Sequence, residues 1–210
     1  MDKYKKYQII ASICVMLFIV NFALCLLVMN RSVYKKCVVD NENITSFEAE
    51  LNYEQLADEF SSFFNSNYEL PGYEISSENV DRLNDMKVYY RWAWVISILT
   101  FIGAVYSFII LSKRRYYMPL LYGGVLAAFL TSLNAFIVLS SDKPVLEGIR
   151  NMIFREDYSY FAEGDVLLKL LPPDFARLLA LTYILLVMIL VFAMVIIRWL
   201  IIYCGRPHKF

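Results

Sequence analysis

Hydrophobic positions in this chain fall into four long blocks separated by polar stretches. The blocks cover about 7–29, 90–111, 119–139 and 178–203. Each is near or above the ~20 apolar residues that cross a bilayer core ~30 Å thick. In lipid, a single such block must satisfy its own backbone hydrogen bonds, so it is helical. The pattern predicts four transmembrane helices. The connection over 112–118 is short, which makes the second and third spans antiparallel neighbours. Two longer polar segments, 30–89 and 140–177, carry the rest of the chain. The expected fold class is an all-α membrane protein. It is a four-transmembrane-helix bundle with a small, partly amphipathic-helical portion outside the bilayer. An α+β character for that portion stays open, because 33–39 (VYKKCVV) is β-prone. The whole of 1–210 reads as a single membrane domain.

The polar segments have patterns of their own. Tyr53, Leu56, Ala57, Phe60, Phe63 and Phe64 recur at three- and four-residue spacing and predict an amphipathic helix over 52–65. Asn52 stands at its N-cap, with Gln55 in the capping-box position. Its aromatic face either packs on neighbouring outer elements or dips into the outer leaflet. Pro71-Gly72 marks a turn. Ser76 or Ser77 then caps a helix that runs through 79–94 (NVDRLNDMKVYYRWAW) into the second span without a breaker. Its polar half carries Asp81, Arg82, Asp85 and Lys87. Tyr89, Tyr90, Trp92 and Trp94 form an aromatic belt at the lipid entry, and Arg91 can snorkel outward there. A charged helix that continues into a bilayer holds its polar groups at the surface, so a site is expected at this junction. Later in the chain, Val145, Leu146, Ile149, Met152 and Ile153 make an apolar stripe beside Arg150, Arg155, Glu156 and Asp157. That segment is expected to lie on the membrane surface. Residues 166–171 are apolar enough to dip in, Pro172-Pro173 ends them, and Asp174 can cap the fourth span. Gly123, Gly124, Ala127 and Ala128 give the third span a small-residue face for close packing. Asn21, Ser132 and Asn134 are expected to hydrogen-bond between helices.

Composition agrees with this pattern. Hydrophobic residues make up 59% of the chain, against ~45–50% in a soluble domain. Net charge is zero, but its distribution is not uniform. Nine basic residues and one acidic residue, Asp2, lie at the two termini and in the 112–118 turn. Ten basic and nineteen acidic residues lie in the two long segments, and an eleventh basic residue, Arg91, stands at the mouth of the second span. Short loops rich in Lys and Arg stay in the cytoplasm. The expected orientation places both termini and the short turn inside a bacterial cytoplasmic membrane, with 30–89 and 140–177 outside. Arg31, Lys35 and Lys36 are the discordant cluster. The first span is longer than a signal-peptide core and no A-x-A site follows, so it reads as a retained anchor. The four cysteines have no metal spacing and no pairing within the outer portion. No nucleotide motif or intramembrane charged row is present. No metal, cofactor or nucleic acid is expected; membrane lipids are the expected partners.

Three motifs carry a family resemblance. Residues 82–87, Arg-Leu-Asn-Asp-Met-Lys, precede the second span. Residues 149–154, Ile-Arg-Asn-Met-Ile-Phe, follow the third. Residues 165–175, Asp-Val-Leu-Leu-Lys-Leu-Leu-Pro-Pro-Asp-Phe, lead into the fourth. In order and in place, they resemble the motifs of bacterial lipoprotein intramolecular transacylases, a family of small four-span membrane proteins. The resemblance implies acyl transfer at the outer membrane face. The acyl chain would move from the glyceryl moiety of a diacylglyceryl lipoprotein to the α-amine of its N-terminal cysteine. Such a reaction needs a proton acceptor for the amine and a stabiliser for the oxyanion.

The chain departs from the family at both motif histidines, which are matched by Arg82 and Arg150. Its one histidine, His208, lies in the C-terminal tail. Arginine cannot act as a base, although it can hold an oxyanion, a phosphate or a carboxylate. The candidate base is therefore Asp85, with Arg82 and Arg150 as electrostatic clamps. Lys87, Asn84, Asn151, Asp157 and Asp165 are candidate substrate-binding residues. A part of any α-amine is already neutral near pH 7, since its pKa is ~7.7–8.0. Three readings remain open: a transacylase acting through Asp85, a non-catalytic binder of lipid or lipoprotein head groups, and a four-helix scaffold subunit.

Overall fold

A computed structural model describes residues 3–32, 46–69, 75–112, 117–140 and 174–204. Its helices are α1 (Lys3–Met29), α2 (Ser46–Ser61), α3 (Ser77–Ser112), α4 (Met118–Ser140) and α5 (Asp174–Cys204). No strand occurs among the described residues, and the expected strand over 33–39 lies outside them.

Helices α1, α3 and α5 contain stretches long and apolar enough to cross a membrane. Helix α4 has a shorter apolar stretch over Met118–Leu133. At its full 23 residues, none charged, it is about 35 Å long, also enough for a ~30 Å core. Pro119 sits in its first turn, where the missing N–H leaves no gap. Helix α3 is far longer than a bilayer needs. Its charges, Glu78, Asp81, Arg82, Asp85, Lys87 and Arg91, all precede Trp92. The uncharged remainder, 92–112, measures about 32 Å and matches the hydrocarbon core. The first 15 of its 36 residues, 77–91, therefore extend beyond the stretch suited to the hydrocarbon.

The chain divides into two compact units. The first comprises Met1–Cys25, Trp92–Leu133 and Tyr183–Phe210. Its core is Val15, Ile19, Ala23, Ala104, Leu120, Ala127 and Val187. Without water between helices, packing contacts hold such a bundle together, and small residues allow close approach. Gly123 is the tightest point. A Cβ there would stand 2.6 Å from the Val15 Cβ and 2.8 Å from the Ser12 carbonyl oxygen. Gly123, Gly124 and Ala127 are buried and Ala128 is half-buried, so the expected small face packs inward. The Tyr183 hydroxyl donates to the Val20 carbonyl at 3.1 Å, joining α5 to α1. Other polar side chains turn back on their own helices. Ser97 donates to Ala93, Thr100 to Ile96 and Thr182 to Leu178, the usual escape for hydroxyls in an apolar helix. Asn21, expected to bond between helices, instead donates to the Leu17 carbonyl at 2.8 Å. That acceptor lies one turn back in the same helix and needs no partner helix. Ser132 is exposed, and the Asn134 side chain lies outside the described residues.

The second unit comprises Leu26–Arg91 and Asn134–Thr182. Helix α2 starts at Ser46 and ends at Ser61, not at 52 and 65. Thr45 and Glu48 already have capping-box spacing, and Asn52 falls inside the helix. Beyond Ser61 the chain leaves the helix; Ser62 still donates its backbone N–H to the Asp58 carbonyl. Ser76 is the cap of α3. Its carbonyl accepts from Val80 N–H at 3.0 Å, and its hydroxyl accepts from Asn79 N–H at 3.4 Å. Arg31, one of the discordant basic residues, pairs with Asp58 of α2 at 2.5 Å. The turn at Pro71-Gly72 lies outside the described residues.

Candidate functional site: the charged turns of α3

Asn79, Leu83, Lys87 and Tyr90 recur at four- and three-residue spacing on α3. All are buried, Lys87 at 0% exposure. A lysine thus occupies a core position of an amphipathic stripe. Its stem can be buried without difficulty, but its ammonium needs acceptors. The segment 62–69 supplies them. Lys87 Nζ donates to Ser62 Oγ at 3.1 Å, the Phe64 carbonyl at 2.9 Å and Ser66 Oγ at 2.7 Å. The Tyr68 ring lies under the same nitrogen, 4.9 Å from it, in cation–π range. An ammonium has three protons, and each has an acceptor here.

Neighbouring side chains extend the grip. Asn84 brackets the Ser66 backbone, accepting from its N–H and donating to its carbonyl, both at 3.0 Å. Arg91 donates to Asn65 Oδ1 at 2.6 Å. Gln55 of α2 donates to the Glu69 carbonyl. Tyr68 adopts a left-handed backbone, φ 51°, which costs a bulky residue about 1–3 kcal/mol. Burial of its ring, packed 6.4 Å from Phe60, holds it there. The segment is therefore fastened to α3 at Asn84, Lys87 and Arg91, leaving Phe63 and Phe64 exposed.

Burial dominates the electrostatics. Desolvation pushes Lys87 down to about 8; Glu59 opposes that shift and Arg91 adds to it. Desolvation also raises the Glu59 carboxyl, against hydrogen bonds from the Gln55 side chain and the Tyr68 backbone. The low Lys87 value does not make a free nucleophile, since its protons are committed to the protein.

The sequence-derived candidates separate into groups. Asn84 and Lys87 face the 62–69 segment. Asp85 is exposed, two residues from Lys87 and so on the opposite side of the helix at ~100° per residue. Asp81, one turn earlier, is also exposed. Arg82 lies between the two aspartates on α3, and its side chain is outside the described residues. Arg150, Asn151, Asp157 and Asp165 fall in 141–173, also outside them. Of the aromatic belt, Tyr89 and Trp92 are exposed, Tyr90 is buried, and Trp94 meets Phe22 edge-on at 6.3 Å. Sequence reasoning missed Ser62, Ser66 and Tyr68. The available signal was Lys87 itself, in register with Leu83 and Tyr90 on a stripe that must be buried.

No protein-family model and no curated protein sequence matches the chain. Solved structures do. The membrane integral lipoprotein intramolecular transacylase Lit from Bacillus cereus superposes with a TM-score of 0.84 at 19% identity, over 97% of both chains. A form of that protein with a histidine-to-arginine substitution matches at 0.82 and 21% identity, over 97% of this chain and 93% of that one. A histidine-to-alanine form matches at 0.82 and 20% identity, over 97% and 95%. The chain is a helical membrane protein that shares, at low sequence identity and over nearly its whole length, the fold of the lipoprotein intramolecular transacylase.

Proposed function

We propose that this protein binds the head region of diacylglyceryl lipoproteins at the outer face of the bacterial cytoplasmic membrane and moves an acyl chain from the glyceryl ester to the α-amine. The observation that supports this most is the outward face of α3. Asp81 and Asp85 are exposed there, with Arg82 between them, in the last turns before the uncharged run that starts at Trp92. A lipid ester anchored in the leaflet arrives at that level. The basic termini and 112–118 turn, against the acidic 30–89 and 140–177 segments, support the orientation with both termini inside.

In the proposed reaction the neutral amine attacks the ester carbonyl, and its surplus proton passes to the Asp85 carboxylate. The glyceryl oxygen leaves as an alcohol, taking that proton back. Arg82 and Arg150 face the oxyanion that forms between these events. Asn151, Asp157 and Asp165 contact the head group, whereas Asn84 and Lys87 shape the site by fixing the 62–69 segment. One matched form of the transacylase carries arginine in place of a histidine, so that exchange is compatible with the fold.

A second reading, head-group binding without transfer, is favoured by one observation. The motif places a basic, non-transferring arginine where the family has histidine, and Lys87 is fully engaged. The two readings diverge in a bacterial strain whose lipoproteins keep a free α-amine. Expression of the wild-type protein is expected to yield N-terminal lipopeptides with an N-acyl group and a lyso-glyceryl moiety by mass spectrometry. Asp85→Asn is expected to lower that product about a hundredfold or more, the low end of general-base contributions. Unchanged lipopeptides with the protein present in the membrane would leave the binding reading standing alone.

A further inference from the structure

The first unit contains a crevice of about 490 Å³ bordered by α1, α3, α4 and α5. That volume is within the ~300–1,000 Å³ of small-molecule sites. Val15, Ala104 and Leu120 form its buried floor. Val105, Ile109, Ile197 and Ile201 also line it and are 37–60% exposed. The crevice is therefore apolar, and it opens sideways onto the surface that faces lipid. Its polar lining residues, Ser112 and Tyr117, both lie at one end, where α3 stops and α4 starts.

Arg198 stands at that same end. It lies on the α5 face shared by Met194, Ile197 and Ile201, being four residues from the first and three from the last. Its Nη2 donates to the Met118 thioether at 3.2 Å, a weak acceptor. Its Nε is buried and has no hydrogen-bond partner among the described residues. A permanent cation with a buried, unmet donor in an apolar surrounding calls for an anion. In the sequence, Lys113, Arg114 and Arg115 follow Ser112 directly. The ligand chemistry is thus divided along one axis: hydrocarbon in the crevice, and an anionic oxygen group at Arg198.

We propose that the crevice holds one acyl chain of a membrane phospholipid whose phosphate is bound by Arg198. This site is at the opposite end of α3 from Asp85 and does not depend on any acyl transfer there. Phospholipid diffusing in the leaflet enters between Val105 and Ile197 without leaving the bilayer. The phosphate supplies acceptors to Nε and to the guanidinium protons that Met118 serves poorly.

Native mass spectrometry of the full-length protein, released from micelles doped with phosphatidylglycerol, tests this. The wild-type protein is expected to carry one phosphatidylglycerol per chain. Arg198→Gln is expected to weaken retention at least tenfold, and Arg198→Lys to keep most of it. Val105→Trp, introduced from the exposed rim, is expected to block the crevice and abolish the adduct while Arg198 stays in place. Equal adduct in wild type, Arg198→Gln and Val105→Trp would overturn the proposal. So would displacement of the lipid by inorganic phosphate together with full retention in Val105→Trp, which would reveal a head-group contact with no seated chain.

Discussion

Lys87 gives up hydration to occupy a core position, and the 62–69 segment returns three acceptors for three protons. Removing the ammonium strips Ser62, Phe64 and Ser66 of a charged donor, which costs about 1–3 kcal/mol. Lys87→Met is therefore expected to destabilise the fold by about that amount and to speed hydrogen exchange across 62–69 before exchange rises elsewhere. The pH dependence follows from the direction of the shift. Lys87 titrates at about 8 in the folded chain, below its ordinary 10.5. Between those values the unfolded chain binds more protons than the folded one, so stability rises with pH. The desolvation penalty is complete below pH about 8 and relieved towards 10.5. Chemical denaturation across that window is expected to show the rise in wild type and its absence in Lys87→Met. A flat wild-type profile would mean that the ammonium is well hydrated. Part of this was legible in the residues: the Asn79, Leu83, Lys87, Tyr90 spacing marks a buried lysine. Its acceptors were not. Ser62 and Ser66 are more than 20 residues away, and no local pattern announces such contacts.

At the scale of elements, α3 and α4 show which features periodicity reveals. The continuity of α3 from Ser77 into its span was readable, because no Pro or Gly interrupts the charged turns and Ser76 can cap them. The start of α2 is less legible, since two segments of the sequence have capping-box spacing and the helix begins at Ser46, before the second of them. The small-residue face of α4 was visible as composition. That Gly123 rather than Gly124 marks the closest approach required the partner helix. A methyl group at Gly123 meets Val15 and the Ser12 backbone at under 3 Å, whereas at Gly124 the nearest atom is 3.4 Å away. Gly123→Ala is expected to cost about 1–3 kcal/mol through overpacking, with Gly124→Ala near neutral, as measured by melting in detergent. Equal effects at the two sites would show that α1 and α4 do not meet at Gly123.

The proposed orientation belongs to the whole molecule. It is expected that a cysteine at exposed Glu69, in a background with the native cysteines replaced, reacts in intact cells with a membrane-impermeant maleimide. A cysteine at exposed Ser112 is expected to react only after the membrane is opened. The reverse pattern would move the α3 site to the cytoplasm and remove access to lipoproteins. The likeness to the transacylase over 97% of both chains at 19% identity illustrates how a membrane fold tolerates divergence. Spans are specified by length and apolarity, which many sequences satisfy. Site chemistry depends on individual residues, and on the motif resemblance arginine, Arg82 and Arg150, stands at both histidine positions.

Amino-acid order was sufficient for the helical membrane architecture, the charged turns ahead of the α3 span and the likeness to transacylases. Those features rest on local sums: runs of apolar side chains, caps and charges. Spatial packing alone established that Lys87 holds a distant segment, that Asp85 faces the other way, and that Arg198 borders an apolar crevice. Each of these depends on which helix face meets which neighbour, a property of the folded contacts and not of any window along the chain.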